Sequence, residues 1–164
     1  MFQTLSQKEK VFLTIFAQND NSIAMIYISR DAHFCAAHKL YNENWSKEKN
    51  EEVFGACANE NWHGHNFDMT VTVKGNVDPE TGFVMNFKDL KKIVNEEILE
   101  KVDHKNLNLD VDFMQGKLTS CENLIIEFWK ILAPKIRTIT NGNSKLHCIK
   151  LKETNKNYAE YYGE

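Results

Sequence analysis

The chain has 164 residues, 42% of them hydrophobic and 26% charged, with 7 glycines and 2 prolines. That is the composition of one globular domain and excludes a second full domain, a collagen-like repeat or a largely disordered chain. Lys and Arg total 20 against 23 Asp and Glu, a net charge of −3, so the chain lacks the basic footprint of a nucleic-acid binder. It carries no run of ~18 apolar residues and no signal-type apolar core with a small-residue cleavage site, so the expectation is an intracellular, cytoplasmic protein without a membrane partner. Cys35, Cys57, Cys121 and Cys148 form no CxxC pair and are expected as free thiols.

Residues 1–21 mix charges, a short apolar stretch and a turn-prone Asn19-Asp20-Asn21, and read as an arm before a single domain at 22–164. Residues 23–37 are rich in β-branched, aromatic and small side chains and predict a strand; 46–54 predicts one or two helical turns in a long connection. His63, His65, Phe67, Met69, Val71 and Val73 then share one parity, as in a half-buried strand that turns both histidines to its apolar side. Asp78 to Gly82 is a turn, and Leu90, Ile93, Val94, Ile98, Leu99 and Val102 recur at helical spacing behind Asn86 as N-cap.

A second helix follows Thr119, which with Glu122 fits a Thr-x-x-Glu capping box, and its stripe Leu124, Ile125, Phe128, Trp129, Leu132 is expected to stop at Pro134. Residues 146–154 alternate so that His147, Ile149, Leu151 and Glu153 share a face, and 157–162 is a tyrosine-rich last strand. The order ββααββ predicts an α+β fold, a four-stranded antiparallel sheet with both helices on one face. Its free edges predict a homo-oligomer.

His63 and His65 at i, i+2 on one strand face place two imidazoles side by side, as two corners of a tetrahedral zinc site require. The bland alternative is a pair of packing histidines. His38, at the end of the neighbouring strand, is positioned to join them, and three histidines with an open fourth position make a catalytic zinc site. His33 and His147 read as packing or surface residues. Cys57 lies six residues before His63: beside a metal or an imidazolium it serves as base, nucleophile or ligand, and otherwise it is an inert thiol. Asp103-His104 is either a carboxylate-oriented acid–base pair or the start of a turn. Glu153, on the apolar parity of its strand, needs a partner, either a lysine or the paired N–H groups of an amidine-like ligand. Glu122 is most simply the capping carboxylate.

Phe34-Cys35-Ala36-Ala37-His38-Lys39-Leu40, Phe54-Gly55-Ala56-Cys57, Trp62-His63-Gly64-His65-Asn66-Phe67, Asp78-Pro79-Glu80-Thr81-Gly82, Val102-Asp103-His104-Lys105-Asn106-Leu107, Cys121-Glu122-Asn123 and Lys152-Glu153-Thr154, in this order, resemble the 6-pyruvoyltetrahydropterin synthase family from about Ile23 onward. The resemblance implies the tunnelling fold: sheets of three subunits joined into a barrel, two trimers stacked as a hexamer, and active sites at subunit interfaces. It implies a zinc-dependent lyase that removes triphosphate from 7,8-dihydroneopterin triphosphate and rearranges the rest without an external redox cofactor. By the same resemblance His38, His63 and His65 hold the zinc, Cys57 is the base, Asp103 and His104 the coupled acid–base pair, and Glu153 the pterin anchor, with Glu122 near that pocket.

Two departures matter. Ser120-Cys121 replaces the family's paired threonines, and Glu60, three residues before His63, resembles a variant branch that lacks the cysteine and forms 6-hydroxymethyl-7,8-dihydropterin for folate synthesis. The chain has both Cys57 and Glu60, so two outcomes from one substrate are an alternative, with Glu60 as a solvated loop residue the plain one. In a related 6-carboxytetrahydropterin synthase the cysteine lies nearer the HxH pair. A pterin-binding oligomeric scaffold with structural zinc is the non-enzymatic alternative.

Overall fold

The computed structural model describes residues 24–164; the arm expected at 1–21 lies outside them. In order along the sequence the elements are β1 (Ile26–His38), α1 (Lys47–Phe54) with a 3-10 turn (Gly55–Ala58), β2 (His63–Gly75), α2 (Phe87–Val94) prolonged by a π-turn (Asn95–Leu99) and a last turn (Glu100–Val102), β3 (Lys105–Asn106), α3 (Cys121–Ile139), β4 (Ser144–Lys152) and β5 (Tyr158–Tyr161). The strands form one sheet in the order β3-β1-β2-β4-β5. Among the described residues no helix is long and apolar enough to cross a membrane.

The sheet corrects the four-stranded antiparallel expectation. It has five strands and is mixed, because Lys105 and Asn106 pair in parallel with Ala36 and Ala37. A two-residue strand shows no alternation to read, since strand periodicity needs about 4–8 residues. The other neighbours are antiparallel, and the β1–β2 ladder runs from Ile26 opposite Gly75 to His38 opposite His63.

One sheet face carries the core. Phe34, Phe67, Met69, Val71, Val73, Leu146, Ile149 and Leu151 meet Leu90, Val94, Ile98 and Val102 of the first helical segment and Leu124, Phe128, Leu132 and Ile136 of α3. Phe34 stacks on Phe67 at 4.8 Å between centroids and takes the Phe128 ring edge-on at 6.2 Å, geometries that favour aromatic pairs. Leu90, Val94, Ile98 and Val102 are all fully buried at a strict spacing of four. On an α-helix that repeat drifts by about 40° per step, and the wider π-turn at Asn95–Leu99 takes up the drift and keeps the stripe on the core.

Three local expectations also change. Ser120, not Thr119, caps α3 by accepting the Asn123 N–H at 3.4 Å, so Glu122 is not a capping carboxylate. Thr119 instead is buried and donates its hydroxyl to Lys39 O at 3.1 Å. The helix continues through Pro134 to Ile139. An interior proline costs about 3 kcal/mol, which the burial of Leu132 and Ile136 on either side offsets at roughly 1.5–3 kcal/mol each. Finally, a bulge between Thr72 and Val73 pairs Val73 with Leu146 and Thr72 with Cys148, so Leu146 takes the core-facing place expected for His147. His147 packs against Tyr27 and Tyr162, at 4.6 and 5.5 Å between rings.

Candidate metal centre and acid–base pair

His38 ends β1 directly across from His63, and alternation along β2 returns His65 to the same face. Their ring centroids are 4.5, 4.9 and 5.2 Å apart, and one nitrogen from each falls within 4.8 Å of the other two. Gly64 lies between the two β2 histidines, opposite Ala37, where an added Cβ would stand 3.2 Å from Ala36 O. A side chain there pushes β2 away from β1 and spreads the histidines.

His38 is buried and its Nδ1–H donates to Thr119 O at 2.8 Å, which fixes the ring and leaves Nε2 aimed inward. His38 Nε2 and both nitrogens of His63 are buried without hydrogen-bond partners among the described residues. Burial, outweighing the Thr119 bond, holds the His38 pKa below its ordinary value; burial and then the His65 charge lower that of His63. Neutral imidazoles with unpartnered nitrogens are the protonation state and donor set of a metal ligand. Each orphaned buried nitrogen costs about 1–3 kcal/mol, and a bound cation would accept a lone pair from each ring.

Glu153 follows β4 and keeps the core-facing parity of Ile149 and Leu151. Its Oε1 lies 3.4 Å from His38 Nε2 and 3.7 Å from His65 Nε2, at the rim of the trio. Burial first, and then the Glu153 and Glu122 charges, push the Cys121 thiol up to about 12, so Cys121 is protonated and inert at neutral pH.

Asp103 and His104 do touch. His104 Nδ1 is 3.0 Å from Asp103 Oδ1, which also accepts the Cys35 N–H at 2.8 Å. That backbone bond, ahead of His104, holds the Asp103 carboxyl below its ordinary 3.8. His104 adopts φ 58°, a left-handed conformation that lets its own N–H donate to Cys35 O at 2.6 Å while the ring folds back on the carboxylate. The ring is 80% exposed. It faces a shallow cleft of about 540 Å³ whose other walls include Cys35, Gly64, His65 and Asn66.

Cys57 is half-buried in the 3-10 turn after α1, with its carbonyl accepting Leu40 N–H at 2.8 Å, and makes no hydrogen bond to the Asp103–His104 pair. Glu60 is exposed and lines a different cleft, with Lys39, Tyr41 and Glu43, that includes none of the three histidines. The fold thus gathers His38, His63, His65 and Glu153 and joins Asp103 to His104, while Cys57 sits in the turn whose carbonyl binds Leu40 N–H and Glu60 lines the neighbouring cleft. Thr119 and Cys35 were missed from the sequence because they act through a backbone carbonyl and a backbone N–H, for which the residue type gives no signal.

A mixed sheet presents three histidines at the end of its central strand pair, a donor set able to hold a metal ion, with a carboxylate at their rim and a carboxylate-oriented imidazole on the adjacent edge. The 6-pyruvoyl tetrahydropterin synthase family model matches residues 27–164, and the chain belongs to that family of lyases. Over 137 residues it is 42% identical to the 6-pyruvoyl tetrahydrobiopterin synthase of Pongo abelii and 41% identical to that of Homo sapiens, in each case 84% of this chain and 91% of the relative. The Caenorhabditis elegans 6-pyruvoyl tetrahydropterin synthase structure superposes with a TM-score of 0.76 at 34% identity, covering 87% of this chain and 98% of that one. A Pyrococcus furiosus dihydroneopterin monophosphate aldolase is 33% identical over 125 residues, 76% of this chain and 87% of the relative.

Proposed function

We propose that the chain eliminates triphosphate from 7,8-dihydroneopterin triphosphate and rearranges the remainder to 6-pyruvoyltetrahydropterin, with zinc held by His38, His63 and His65. The observation that carries this reading is the buried trio with its unpartnered nitrogens in a protein whose relatives at about 40% identity are named for that synthase. Bound zinc supplies Lewis-acid polarisation of a substrate oxygen and lowers the pKa of a hydroxyl.

The protein's own residues supply the rest. Glu153, at the rim of the trio, accepts the paired N–H groups of the pterin ring and sets the substrate's hydroxylated tail over the histidines. Glu122 is assigned to the same pocket. Cys57 is the base that removes protons from the carbons of that tail. Asp103 fixes the His104 proton on Nδ1, so that Nε2 exchanges protons with the substrate. The tail is oxidised as the ring is reduced, and no external redox cofactor is needed.

Cys57 and the Asp103–His104 pair come together at subunit interfaces of a hexamer built from two trimers in the tunnelling arrangement. Both sheet edges support this. β1 is paired to β3 only at Ala36 and Ala37, which leaves the other side of residues 26–35 open, and the short β5 forms the opposite edge. Tyr27 and Tyr158 are 52% and 57% exposed along those edges, as strands awaiting a neighbour are. Residues 22–164 act as one domain in the cytoplasm.

A second reading, formation wholly or partly of 6-hydroxymethyl-7,8-dihydropterin with Glu60 as base, rests on the Glu60 spacing and on the aldolase relative. Incubating the zinc-loaded protein with 7,8-dihydroneopterin triphosphate and resolving the pterins by chromatography and mass separates the two. Pyruvoyl product that disappears on chelation is expected; hydroxymethyl product alone would replace this reading with the second.

A further inference from the structure

Lys39 and Trp62 flank the paired residues His38 and His63, one step beyond the end of the β1–β2 ladder. The Lys39 ammonium lies 4.6 Å from the Trp62 ring centroid and 4.9 Å from that of Tyr41. Its backbone is fixed on both sides: Lys39 N–H donates to Asn108 Oδ1, and Lys39 O accepts from Asn108 Nδ2 and Thr119 Oγ1, each at 3.1 Å. Thr119 is also the residue whose carbonyl orients His38.

Trp62 has φ 65°, a left-handed conformation a bulky side chain adopts only under constraint, and that conformation accompanies an indole set against the ammonium. Among the described residues no carboxylate is within ion-pair distance of Lys39, whereas Lys117, the other lysine of the same cleft, is bound to Glu127 at 3.0 Å. The cleft holds about 640 Å³, and among the described residues Glu43 is the one carboxylate on its wall. An unneutralised ammonium, braced by two rings on the residue that follows His38 and open to a cleft, is a preorganised anion site.

We propose that Lys39, braced by Trp62 and Tyr41, binds the triphosphate of the substrate and stabilises it as it leaves. This rests on the reaction proposed above. In the elimination a carbon-bound proton of the substrate's tail passes to the base, the C–O bond to the triphosphate breaks, and its electron pair stays on the departing oxygen. Lys39 keeps its proton and offers hydrogen bonds to the charge that develops there. Adjacency to His38 suits the role, because the phosphate ester lies one carbon beyond the hydroxyls that face the histidines.

The test uses the zinc-loaded full-length protein and its Lys39→Met, Lys39→Arg and Trp62→Phe variants, with inorganic tripolyphosphate and unphosphorylated 7,8-dihydroneopterin as separate calorimetric probes and zinc content as the check on folding. Lys39→Met is expected to weaken tripolyphosphate about 10–100-fold, as loss of a charge-assisted hydrogen bond does, while dihydroneopterin affinity changes less than about two-fold and Lys39→Arg restores most of the loss. In turnover of the triphosphate substrate the same variant raises KM. Unchanged tripolyphosphate affinity, or equal losses for both probes, would overturn the assignment. If the wild type binds tripolyphosphate through Lys39 yet makes no pterin product, the anion site stands and the assigned substrate falls.

Discussion

The histidine trio and the Asp103–His104 edge are both polar constellations on the same sheet, but they are built to different degrees of completion. The trio closes within the chain: its rings pack against one another, Thr119 O fixes His38, and Glu153 reaches the rim. The Asp–His pair is assembled but open, with His104 80% exposed and Cys57 bonded to neither member. A metal site needs rigid, desolvated donors, which adjacent strands supply, whereas under the proposed function the acid–base groups are completed by a neighbouring subunit.

The comparison breaks first at the ligands. His63→Ala is expected to lower zinc affinity by at least ~100-fold, read by competition with a chromophoric chelator; unchanged affinity would mean that the trio is only packing. Cys57→Ala is expected to abolish pyruvoyl product with full zinc content, so zinc loss in that variant would move the thiol into the ligand set. Phe128→Ala, which removes the ring set edge-on to Phe34, is expected to cost about 3–5 kcal/mol in chemical denaturation.

The smallest effect sharpens the other side. The Cys35 N–H holds the Asp103 carboxyl below its ordinary 3.8, so the folded state binds fewer protons than the unfolded state in acid. The contribution is therefore present above about pH 4 and is lost as pH falls through the lowered value. Asp103→Asn is expected to flatten the acid limb of stability below about pH 4 by well under ~1 kcal/mol, since the group is largely solvated.

What was readable in the sequence was whatever repeats. Alternation along 63–73 placed His63 and His65 on the core face, and parity carried Glu153 to the same rim. What was not readable breaks a repeat or acts through the backbone. The two-residue β3 is too short to alternate. The bulge that swaps Leu146 for His147 is one inserted residue, and the π-turn is a correction to a helix that looked regular. The N-cap moved by one residue because Thr119 and Ser120 are chemically equivalent caps until tertiary contacts claim Thr119. Pro134 is a stop signal only where packing does not outweigh it.

The most direct test of the account's central claim, a metal site complete in one subunit and acid–base chemistry completed between subunits, is subunit complementation. Cys57→Ala and His104→Gln proteins, each inactive alone, are mixed, dissociated and reassembled with zinc. The account predicts that mixing restores pyruvoyl formation to roughly a quarter of wild type, the share of interfaces that inherit both intact groups. No restored activity in mixed hexamers of confirmed composition would contradict it and place Cys57 and His104 in the same subunit's site.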